Sequence, residues 1–162
     1  MVKEYSMLDI YTVAFFGHKY IDNISKVENL LEFHIKKILC EHEYVDFLVG
    51  RNGDFDQSAS SSVRRIQKKY RGDNSSLILV LPYLTAEFLN NKKSFESYYS
   101  EIKISSTAAK SHPKSAFKIR NCEMIDCADL IICYVKNENG GAWQAVNYAR
   151  IQNKQIINLA EA

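Results

Sequence analysis

The segment Tyr11–Lys19, YTVAFFGHK, constrains the fold more than any other stretch. Its aromatic and β-branched residues form an apolar run that stops at Gly17, the pattern of a strand buried on both faces. Similar runs recur at Val45–Val49, Ser76–Leu81, Asp129–Val135 and Gln155–Leu159. Stretches of helical period lie between them. Ile24–Cys40 sets Ile24, Val27, Leu30, Leu31, Ile35, Ile38 and Leu39 on one stripe, with Asn23 or Ser25 as N-cap. Ala59–Tyr70 gives one face to Val63, Ile66 and Tyr70 and closes on the polar turn Arg71–Asn74. Phe117–Cys127, with Ile119, Met124 and Ile125 inward, and Ala142–Gln152 read as further helices. This alternation predicts an α/β fold, a Rossmann-like three-layer sandwich with a mostly parallel sheet of about five strands.

The 162 residues are expected to form one domain, 1–162, with residues 1–10 as a loosely packed lead-in. Residues 83–115 fit the alternation least. Leu84–Leu89 reads as a short helix, but the rest has no clean period, so 83–115 is expected to be a flap or interface insertion. Lys and Arg number 21 against 19 Asp and Glu, and a net charge of +2 makes no electrostatic case for duplex DNA. No apolar run is long enough for a membrane span, and the amino terminus lacks a secretory pattern. Cys40, Cys122, Cys127 and Cys133 form no C-x-x-C pair, so buried free thiols in a cytoplasmic protein are expected. His18, His34, His42 and His112 have no metal-ligand spacing. No standard dinucleotide fingerprint, P-loop or nucleophile elbow is present, and no cofactor is called for.

In a parallel sheet the ligand lies beyond the carboxyl ends of the strands, where strand order reverses. If the first and fourth predicted strands are neighbours, Gly17 meets Gly140-Gly141 there. The helix opening at Gly141 and Ala142 would aim backbone N–H groups at an anion. His18 and Lys19 are either solvated loop residues or donors to a phosphate. Arg51, Asn52 and Gly53 occupy the next loop. Asp54 and Asp56 begin the following helix, where they either cap it or accept from ribose hydroxyls. Arg120, beside Asn121, is either a surface residue or a bidentate phosphate clamp. Trp143 either packs or stacks on a base, and Tyr83, Tyr98 and Tyr99 are further stacking candidates.

Taken together, FFGHK at 15–19, VGRNGDFD at 49–56, IRNCEM at 119–124 and ADLIICYV followed by GGAWQAV resemble the SLOG superfamily. That superfamily unites the Lonely Guy phosphoribohydrolases, DNA-processing protein A and nucleotide-sensor domains, and the resemblance is strongest to its small stand-alone members. It spans Val13 to Leu159 and implies a Rossmann-like fold, a nucleotide-type ligand and a homodimer or homotetramer. Arg120 matches the arginine of the Lonely Guy R-K-x-x-M motif, and Gly140-Gly141 the start of P-G-G-x-G-T-x-x-E. Here the third glycine and the threonine are Trp143 and Gln144, and the glutamate positions hold Val146 and Asn147. Cleaving an N-glycosidic bond needs a placed carboxylate. The departure therefore favours a binding protein, a sensor or a sequestering protein for a nucleotide or a cyclic or linear ADP-ribose-like messenger. The alternatives are a phosphoribohydrolase-like enzyme with a displaced carboxylate and an oligomeric adaptor for protein or single-stranded nucleic acid. Arg120→Ala and Gly141→Val are expected to weaken binding and spare the fold.

Overall fold

The structure, a computed structural model, describes residues 9–161, so most of the predicted lead-in lies outside the described residues. Strands β1 (Ile10–Gly17), β2 (Tyr44–Val49), β3 (Ser75–Leu81), β4 (Glu101–Ile104), β5 (Leu130–Tyr134) and β6 (Gln155–Asn158) form one sheet. Its order is β4-β3-β2-β1-β5-β6, and every pairing is parallel. The helices are α1 (Ile24–Glu41), α2 (Asp54–Lys69), α3 (Ala86–Asn90), α4 (Lys92–Tyr98), α5 (Ser106–Ala109), α6 (Pro113–Cys127) and α7 (Gly140–Ile151). A 3₁₀ turn, Leu159–Glu161, follows β6.

β1 explains why the first apolar run reads so strongly. It lies between β2 and β5, and its alternate residues feed two cores. Val13 and Phe15 belong to a core completed by side chains of α1, α2, α3 and α4, while Ala14 and Phe16 belong to a second core completed by α6 and α7. Phe15 and Phe47 stack at 5.9 Å within the first core. The Asp129 carboxylate accepts from the Thr12 N–H at 2.8 Å, fixing the β1–β5 register at its amino end. Gly17 pairs with Tyr134, so sheet order reverses between β1 and β5, as the glycine breaks suggest.

Several expectations change. The sheet has a sixth strand, because residues 83–115 hold α3, α4, β4 and α5 and the start of α6, more regular structure than the lack of a clean period beyond Leu84–Leu89 suggests. Among the described residues β4 pairs only with β3, and it exposes most of its short EIKI run, so no alternation marks it in the sequence. Phe88, Phe95 and Tyr99 of the segment are buried in the main core. α2 begins at Asp54, well before Ala59. It carries buried Ser58, Ser60 and Ser62, whose small side chains give no apolar stripe to read. Tyr70 is 49% exposed at the end of α2. Of the free cysteines only Cys133 is buried, and burial pushes its thiol up to about 12. Cys40 and Cys127 are exposed.

A close approach sets the geometry of the strand ends. A Cβ on Gly17 would lie 2.5 Å from the Phe55 Cβ, so the absence of a side chain at Gly17 lets α2 seat its first turn against β1. Gly17→Ala is expected to lower stability by about 1–3 kcal/mol through overpacking, read as a lower urea midpoint. In a double-mutant cycle, Gly17→Ala with Phe55→Ala should lose less than the two single changes together. An unchanged midpoint in Gly17→Ala would contradict the packing argument.

Candidate functional site

A cavity of about 630 Å³ opens beyond the carboxyl ends of β1, β2 and β5. Gly17, His18, Lys19, Asn52, Asp56, Arg120, Asn121, Gly140, Gly141 and Ala142 all line it. Sequence reasoning thus brought together residues from four separate loops and helices. Arg51 and Gly53 line a neighbouring cavity instead, and Asp54 and Trp143 line neither.

The loop geometry accounts for the exceptions. A Cβ on Gly53 would stand 2.5 Å from the Lys19 Cα, so this glycine marks contact between the loop after β2 and the loop after β1. The Asp54 N–H donates to the Lys19 carbonyl at 2.8 Å, and the Asp54 carboxylate accepts from the Ile21 N–H at 3.1 Å. Asp54 is thereby occupied in holding the loop that carries Lys19 and Tyr20. Trp143, half-buried on α7, is not a cavity wall.

Asp56 and Arg120 form the buried floor. Asp56 is 8% exposed and Arg120 2% exposed. The Asp56 Oδ2 accepts from the Asn52 N–H at 2.9 Å, which fixes the loop preceding α2 rather than capping the helix's own N–H groups. Arg120 donates from Nη1 to the Val80 carbonyl at 2.8 Å and from Nε to the Asn121 side-chain oxygen at 3.0 Å. Burial pushes the Asp56 carboxyl up, opposed by the Asn52 N–H and the Arg120 charge. Burial pushes the Arg120 guanidinium down, opposed by Asp56. Gly50 separates the pair: a Cβ there would lie 3.0 Å from Asp56 Oδ2 and 3.1 Å from Arg120 Nη1. Charge at the floor is therefore balanced within the protein, and Arg120 ties α6 to the end of β3.

The rim differs. α7 opens at the cavity, and its N-cap Asn139 makes no side-chain cap hydrogen bond. α1, α3, α5 and α6 all have such a cap, from Asn23, Thr85, Ser105 and His112. Gly140 has φ of 88°, a left-handed conformation that favours glycine, and a Cβ on Gly141 would meet nothing within 4 Å. The first-turn N–H groups and the positive end of the helix dipole thus face open space beside the exposed Lys19.

His18 positions the loop before α7. Its Nε2 accepts from the Lys136 N–H at 2.8 Å and from the Asn137 N–H at 3.2 Å. A ring nitrogen that accepts carries no proton, so His18 is neutral with its proton on Nδ1. Burial, then the Lys136 charge, pushes its pKa below 6.5. From the other side the Asn158 amide exchanges hydrogen bonds with the Val135 N–H and carbonyl at 3.1 and 3.0 Å. This loop presents Asn137 and Asn139 to the cavity. Those asparagines, with Gly50, Tyr20 and Phe117, are wall residues that sequence reasoning missed. Tyr20 is 79% exposed and Phe117 37% exposed at the mouth. The polar run KNEN before Gly140 was the one available signal for the asparagines.

Among the described residues no group of three His, Cys, Asp or Glu side chains could hold a metal ion, and no helix is long and apolar enough to cross a membrane. No protein-family model and no curated protein matches the sequence. Solved structures do match in fold. DNA processing protein A from Streptococcus pneumoniae superposes with a TM-score of 0.64 at 14% identity, over 91% of this chain and 49% of that one. DNA processing protein A from Helicobacter pylori gives 0.63 at 15% identity, over 90% of this chain and 63% of that one. The chain thus shares the fold of these DNA processing protein A structures, a Rossmann-like α/β architecture, and spans roughly half to under two thirds of the length of these two proteins.

Two outcomes test the geometry. Arg120→Ala leaves Asp56 buried without its counter-charge and the Val80 carbonyl without its donor, so it should cost about 3 kcal/mol in denaturant unfolding instead of sparing the fold. Retention of wild-type stability would refute the buried-pair description. His18 should titrate below 6.5 by NMR, and the Lys136 and Asn137 amide shifts should move with it. The contribution to stability is full above 6.5 and is lost as pH falls through the lower folded value, because protonation ends both accepted bonds. Amides that ignore the His18 titration would refute the latch.

Proposed function

We propose that this chain binds a nucleotide or a nucleotide-derived messenger in the cavity beyond β1 and β5, as a sensor or a sequestering protein. One observation carries the reading: the uncapped first turn of α7, with Gly140, Gly141 and Ala142, faces a cavity of about 630 Å³ beside Lys19. Unpaired N–H groups at a helix start, a helix dipole and an exposed ammonium together suit a phosphate. The asparagines at 52, 121, 137 and 139 supply the neutral donors and acceptors that a ribose and the edge of a base require. Tyr20 and Phe117 offer exposed rings for stacking, the role first weighed for Trp143. The phosphate lies at the rim, since Asp56 and Arg120 already balance one another at the floor.

The H. pylori neighbour, whose structure concerns a single-stranded DNA binding mode, supports a ligand of nucleotide chemistry. Asp56 is the sole carboxylate among the described residues that line the cavity, and it accepts from the Asn52 N–H. Val146 is buried in the core, and Asn147 does not line the cavity. This favours holding the ligand over cleaving it. Self-association into a dimer or tetramer belongs to the reading on the resemblance alone.

Calorimetric titration with AMP and with ADP-ribose tests the site. Gly141→Val should fold normally and Lys19→Ala should leave the core untouched, while each weakens binding about tenfold. Unchanged affinity in both variants, or no binding of either ligand to the wild-type chain, would overturn the proposal.

A further inference from the structure

A second cavity, of about 400 Å³, shares the Gly50 and Asp56 wall with the first and extends toward α3 and α4. Its volume falls within the range of small-molecule sites. It is a built site. Gln57, Ser60 and Arg64 recur at helical spacing on α2 and turn a polar stripe toward α4. Ser60 is 3% exposed and lines the cavity, yet its hydroxyl has no hydrogen-bond partner. It lies beside the Tyr99 hydroxyl, which already accepts from Arg51 Nη1. A buried hydroxyl left without a well-directed partner is unfavourable, so a ligand that reaches it gains by supplying one.

The charge balance indicates which chemistry fits. The Arg51 Nε donates to the Glu87 carboxylate, and its Nη1 donates to the Tyr99 hydroxyl at 3.1 Å. Its guanidinium also packs 4.6 Å from the Phe95 ring centroid. The cation is thus paired within the wall, and Glu87 offsets it. Arg64 lies 4.2 Å from the Tyr98 ring centroid, so Tyr98 is held as a planar wall. The hydroxyls of Ser60, Ser94, Tyr98 and Tyr99 and the Gln57 amide are neutral donors and acceptors. Among the described residues that line this cavity Arg51 is the sole cation, and its pairing with Glu87 leaves little for a second phosphate. An uncharged group rich in hydroxyls and ring nitrogens does find partners.

We propose that this second cavity is a subsite for an uncharged second nucleoside of a two-unit ligand whose phosphate occupies the first cavity. The proposal rests on the nucleotide reading above and narrows it to ligands with two nucleoside-like halves. The shared wall at Gly50 and Asp56 puts the two halves on either side of the loop after β2.

The test compares nucleoside 5′-monophosphates with the matching linear dinucleotides and a longer homopolymeric single strand, by calorimetric titration. The dinucleotide carrying the preferred base should bind the wild-type chain about tenfold tighter than its monophosphate. Gln57→Ala, an exposed helix position, and Ser60→Val should each abolish that advantage and leave monophosphate affinity unchanged. Circular dichroism confirms that both variants are folded, and Gln57→Ala keeps the test open if Ser60→Val is not. Equal affinity of monophosphate and dinucleotide for the wild-type chain would overturn the subsite alone. So would variants that weaken both ligands together, or a gain that continues well beyond two units in the longer strand. Failure of every nucleotide to bind would overturn the first-cavity reading and this one with it.

Discussion

The contact of Phe55 with Gly17 is the constraint on which the rest of this structure depends. It seats the first turn of α2 against the carboxyl end of β1, where a side chain would hold the two apart. Once they touch, the loop after β2 lies on the loop after β1. Asp54 then bonds both to the Lys19 carbonyl and to the Ile21 N–H. The same placement brings Asp56 and Gly50 under the cavity, against Arg120 from α6. One core contact therefore determines where the rim, floor and partition of the two cavities fall.

The charges of the site follow from burial. A carboxylate and a guanidinium withdrawn from water must compensate one another, and these two also each take further hydrogen bonds from or to backbone. The floor is thereby spent on holding β2, β3 and α6 together. The rim is milder: N–H groups of α7, one ammonium and several asparagine amides line it. His18 and Asn158 grip the loop before α7 from its two sides, so the protein's own groups shape the rim, as the proposed site would require. Such preorganisation lowers the ordering cost of binding.

Much of this was legible in the residues because parallel strands buried on both faces are written as plain apolar runs. β1, β2, β3 and β5 are such strands, and the glycine breaks after β1 and before α7 do meet across the sheet. β4 was illegible for the opposite reason. It is a short edge strand that exposes most of its side chains, so neither a run nor an alternation marks it. α2 began earlier than its apolar spacing implied because serines occupy its buried positions. Even so, the predicted neighbourhood of His18, Lys19, Asn52, Asp56, Arg120 and Gly141 is the one that the fold assembles.

By itself the sequence determined the fold class, the strand that lies at its centre and the end of the sheet where the loops converge. Those properties reside in local pattern, in apolar period and in glycine position. Tertiary structure alone decided what each polar side chain faces. Arg51 and Arg120 look alike in sequence, yet one is paired with Glu87 in the second cavity and the other is sealed under the first. Asp54 and Asp56 stand two residues apart on α2, yet one secures a loop and the other opposes a buried arginine. The physical reason is that a charge's role is set by the groups packed around it, and those come from distant parts of the chain.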